Sequence, residues 1–78
     1  MQIRYTNHAR QRMVQRRINE AQVRETVELP DDVDWGDEGE TIALRRYLSH
    51  EIRVVYQEVD GDTIVIYTVI RARTKIDR

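Results

Sequence analysis

"IRVVYQEVDGDTIVIYTV", residues 52–69, is the stretch whose reading decides the fold. Two runs rich in Val, Ile and Tyr flank Asp60-Gly61, and such a dipeptide suits the positive φ that a type I′ turn requires at both central residues. The stretch reads as a β-hairpin with strands over 52–59 and 62–71. Upstream, "SH" at 49–50 and "DEGE" at 37–40 are further turns, which puts strands at 41–48 and near 33–36. An antiparallel meander of three to four strands follows.

Before the strands the pattern is helical. Thr6 is a good N-cap for a helix over 7–16, in which Ala9 and Met13 share a face and His8, Arg12 and Arg16 form a polar row beside it. A second helix starts at the cap Asn19, with Gln22 at the capping-box position and Ile18 able to pack on Val23. Val23 and Val27 face inward, and Pro30 with "PDDVD" ends the helix. Two N-terminal helices followed by a small antiparallel meander predict an α+β fold, with the whole of 1–78 as one domain.

If the tighter turns hold two residues each, strand parity sorts the side chains into two faces. One receives Ile42, Leu44, Leu48, Val55, Ile64, Ile66 and Ile70 together with Arg46, Arg53, Gln57 and Thr68. That aliphatic face is expected under the helices. The other collects Ala43, Arg45, Tyr47, Ile52, Val54, Tyr56, Val65, Tyr67, Val69 and Arg71, and is expected to be open.

Charge is unevenly spread along the chain. Residues 1–24 carry six arginines against Glu20, residues 25–40 carry eight carboxylates and no base, and 41–78 carry seven bases against five acids. The net charge of −1 conceals this. Basic and acidic segments in one small domain can steer a polyanion to one side and repel it from another, although charge runs also serve simply as solvated surface. The absence of cysteine rules out disulfides and thiolate metal sites and fits a reducing, cytoplasmic setting. The longest apolar run, "IVIY" at 64–67, is far too short for a membrane helix, so no membrane partner is expected.

Metal chemistry is not expected either. The two histidines, His8 and His50, have no zinc spacing, and a calcium loop started at Asp32 would need glycine at Asp37 and glutamate at Ala43. Chemistry without cofactors is open to the tyrosine and arginine face. Tyr47 and Tyr56 offer flat surfaces for bases, and Arg45 offers a fork of donors for phosphate. Tyr67 and His8 are candidates for proton transfer, with Arg71 steadying the charge of a pentavalent phosphate. The structural alternatives are plain: tyrosines are good strand formers, and a lone helix histidine is often just hydrogen-bonded. Trp35, in the acidic "DDVDWGDEGE", could anchor a protein interface or cap the core.

"YTNHARQRM" with "RRINEAQVRETVELPDDV", and later "IRVVYQEVDGDTIVIYTV", resembles a short prokaryotic family of unknown function. Its members open with Thr-x-His-Ala-x-x-Arg-Met, matched here by Thr6, His8, Ala9, Arg12 and Met13. That family is grouped with RelE-like and BrnT-like ribonuclease toxins. The resemblance implies a RelE-like fold and the toxin of a toxin–antitoxin pair, with RNA or the ribosome and an antitoxin protein as partners. It implies a metal-independent endoribonuclease acting on mRNA, with substrate-binding basic residues on the sheet and a basic or aromatic residue near the C-terminus, regions in which this chain offers Arg45, Arg53, Tyr67, Arg71 and Arg73. The chain departs from RelE-like toxins in being near neutral, which weakens its hold on RNA. The alternative is a non-catalytic protein-interaction module on the same fold. Homodimerisation through an exposed strand edge is compatible with either.

Overall fold

The computed structural model describes residues 1–73. Its elements are β1 (Gln2–Tyr5), α1 (Asn7–Arg16), α2 (Glu20–Glu28), β2 (Asp32–Trp35), β3 (Thr41–Arg46), β4 (His50–Asp60) and β5 (Thr63–Arg73). The strands form one five-stranded sheet in the order β1-β5-β4-β3-β2. The fold is α+β, but it corrects the expected all-antiparallel meander of three to four strands. β1 is an additional strand, paired in parallel with β5 from Gln2↔Thr63 to Tyr5↔Ile66, and the sheet is therefore mixed. Four residues carry too little alternation to announce a strand, and β1 is defined by a partner some sixty positions away.

The helix ends form as their sequence requires. The Thr6 hydroxyl accepts the Ala9 N–H at 3.0 Å, and Arg17, at φ 54°, closes α1 in the left-handed conformation while Ile18 N–H donates back to Met13 C=O at 2.9 Å. Asn19 and Gln22 form both halves of a capping box at 2.8 and 2.9 Å. α1 lies over β5, and α2 over β3 and β4. Between helices and sheet sits the core of Ala9, Met13, Ile18, Val23, Ile52, Val54, Ile64, Ile66 and Val69.

That core corrects the expected faces. Ala43, Ile52, Val54 and Val69 are fully buried under the helices, and Ile70 is exposed. Two departures from a regular hairpin explain the difference. Asp60 pairs with Thr63, so the turn is Gly61-Asp62, one residue later than expected, and the register shifts again between Glu58 and Asp60. This carries Ile64 and Ile66 to the face of Tyr56 and Val54. A second bulge then leaves Tyr67 between the pairs Tyr56↔Ile66 and Val55↔Thr68, which restores Val69 to the core face. The side opposite the helices holds Ile42, Leu44, Arg46, Glu51, Arg53, Val55 and Thr68.

Candidate functional site

The open side of the sheet carries a hollow of about 300 Å³ lined by Asp32, Val33, Asp34, Ile42, Leu44, Arg46, Glu51 and Arg53. Its charged floor follows from strand alternation. Glu51 and Arg53 are two apart on β4 and project the same way, and Arg46 lies directly across the ladder from Glu51. The Arg53 Nη2 donates to Glu51 Oε1 at 3.1 Å, with the Glu51 side chain only 17% exposed. A carboxylate paired with one guanidinium, in a hollow lined by a second arginine, can accept a proton while the arginines hold an anion. Asp32 and Asp34, opposite Leu44 and Ile42 in the β2–β3 register, make one rim acidic. Among the described residues no group of His, Cys, Asp and Glu is arranged to hold a metal ion.

The expected site residues are divided between the two sides of the sheet. Arg53 and Tyr67 are on the open side, where the Tyr67 hydroxyl donates to Gln57 Oε1 at 2.8 Å. Tyr56 is half-buried against the core, and burial raises its phenol pKa. Arg71 donates to the Arg16 and Arg17 carbonyls at 3.3 and 3.4 Å, at the C-terminal end of α1. Arg73 is exposed and opposite His50 at the end of the β4–β5 ladder. His8 is exposed on α1, with Nε2 accepting from Arg12 Nε at 3.4 Å. It stands on the helix layer, across the sheet from the hollow.

Arg45 and Tyr47 instead join a second cluster on the helix side. Glu25 Oε1 accepts from the Tyr47 hydroxyl at 2.6 Å and from Arg45 Nε at 3.1 Å, and Arg45 Nη1 reaches Leu29 C=O at 2.6 Å. His50 stacks on the Tyr47 ring with centroids 5.0 Å apart. The Tyr47 hydrogen bond, aided by Arg45, holds the Glu25 carboxyl below its ordinary value, while burial followed by the Glu25 charge pushes the Tyr47 phenol up. This network fastens α2 to the end of β3 and occupies the donors that phosphate would need. Sequence reasoning overlooked Glu51, although its i,i+2 spacing from Arg53 was a readable signal.

A two-helix layer on one side of a mixed sheet, with a charged hollow on the other, defines a small α+β domain with one uncovered face. Residues 5–71 match a family described as a domain of unknown function, DUF4258, and the chain belongs to that family. No curated protein and no solved structure matches it.

Proposed function

We propose that this protein is a metal-independent endoribonuclease of toxin type that acts on mRNA through the hollow on its open face. The observation that carries the reading is Glu51 paired with Arg53 at 3.1 Å, with Arg46 opposite it on β3. Glu51 takes the proton of a ribose 2′-OH, and the 2′-oxygen attacks the adjacent phosphorus. Arg46 and Arg53 stabilise the charge of the pentavalent phosphate, the departing 5′-oxygen takes a proton from solvent, and Glu51 then returns its own proton to solvent. The products are a 2′,3′-cyclic phosphate and a free 5′-hydroxyl. Ile42 and Leu44 give the hollow an apolar wall against which a base can lie. The acidic rim of Asp32 and Asp34 confines the phosphate to the side of the two arginines, and binding to RNA is expected to be weak and to fall with salt.

Protein synthesis in a bacterial cell-free extract tests this, because it registers cleavage of free and ribosome-bound RNA alike. Wild-type protein should inhibit synthesis, Glu51→Gln and Arg53→Gln should not, and the Tyr67→Phe, Arg71→Ala variant should retain inhibition. Loss of inhibition only in the last variant would move the chemistry to Tyr67 and Arg71. No inhibition by the wild type at micromolar concentration would replace this reading with a non-catalytic interaction module.

A further inference from the structure

We infer that the free edge of β2 is a docking site for an extended basic strand of a separate partner protein. This is independent of whether RNA is cut. β2 ends the sheet. Gly36 N–H donates across the ladder to Glu40 C=O at 2.9 Å, so the alternation of an antiparallel pair turns the donors of Asp34 and Asp32 toward β3 and those of Val33 and Trp35 outward. Both outward donors are held by the preceding carboxylate, Val33 N–H by Asp32 Oδ1 at 3.0 Å and Trp35 N–H by Asp34 Oδ1 at 2.8 Å. The edge is thus extended and in register for another strand, with each donor masked by an anion that a cation can draw away.

The side chains say what enters. Asp32 and Asp34 project on the open side, while Val33 and Trp35, 37% and 69% exposed, project on the helix side. Pairing of β2 with β2 of a second copy would set aspartate against aspartate in either antiparallel register, and like charges directly opposite are destabilising. A strand with Lys or Arg at alternate positions and apolar residues between them reverses the sign. Its cations take the two carboxylates, its carbonyls take the released Val33 and Trp35 N–H groups, and its apolar side chains cover Val33 and Trp35.

Trp35 is the single tryptophan, so its fluorescence reports occupancy directly. The full chain is titrated with a peptide alternating lysine and valine, and with the same alternation of glutamate and valine. The lysine peptide should give a saturable change and slow the hydrogen exchange of the Val33 and Trp35 amides, and the glutamate peptide should do neither. Asp32→Asn with Asp34→Asn should weaken binding roughly tenfold, the ratio that two cross-strand ion pairs supply. Val33→Pro, tolerable on an edge strand, should weaken it by deleting an outward donor. The proposal is overturned by equal binding of both peptides, by binding without amide protection, or by binding of neither. Protection of the Val33 and Trp35 amides that grows with concentration in the peptide-free chain would also overturn it, since a second copy would then hold the edge.

Discussion

Ile52 and Arg53 are neighbours on β4, yet Ile52 is fully buried beneath the helix layer and Arg53 stands at the open hollow. The helix-covered face is apolar and closed by packing. The uncovered face mixes Ile42, Leu44 and Val55 with Arg46, Glu51 and Arg53, and no element among the described residues covers it. Stability therefore resides on one side of the sheet, and the chemistry of the molecule is free to reside on the other.

Substitutions at matched positions test this contrast. Ile52→Ala should cost about 2–5 kcal/mol in urea unfolding, as for other buried aliphatic truncations, and Ile70→Ala on the open face far less; equal losses would mean that the open face is covered in solution. Asn19→Ala, which removes half of the capping box, should cost about 1 kcal/mol by the same measurement. The Glu25 carboxyl, held down first by Tyr47, favours the folded state above the ordinary carboxylate value of 4.5, and that contribution is lost as pH falls through the lowered folded value. Glu25→Gln should accordingly flatten the acid limb of a stability–pH curve. Arg53→Gln should cost no more than about 1 kcal/mol, since the Arg53 side chain is 46% exposed and glutamine can still donate to the largely buried Glu51, while abolishing the proposed inhibition of translation.

The helices were legible because their signals are local: Thr6, Asn19 and Gln22 act within one turn of their own positions. The β3–β4 alternation was also legible, and it put Arg46 and Arg53 on one side together. Which side the helices cover was not. It turns on the two irregularities in the β4–β5 pairing, at Val59 and Tyr67, and a bulge depends on the partner strand as much as on the residue itself. The Glu25–Tyr47–Arg45 network was hidden for a similar reason, since it joins residues 20 or more positions apart whose meeting depends on that covered side.

The parallel pairing of β1 with β5 has a consequence in time. Gln2 and Tyr5 leave the ribosome long before Thr63 and Ile66, the strand they require, and among the described residues β1 pairs with no other strand. Closing so long a loop costs entropy before any contact rewards it. The first strand made is thus among the last placed, and a substitution at Ile3 should hasten unfolding while leaving the folding rate nearly unchanged.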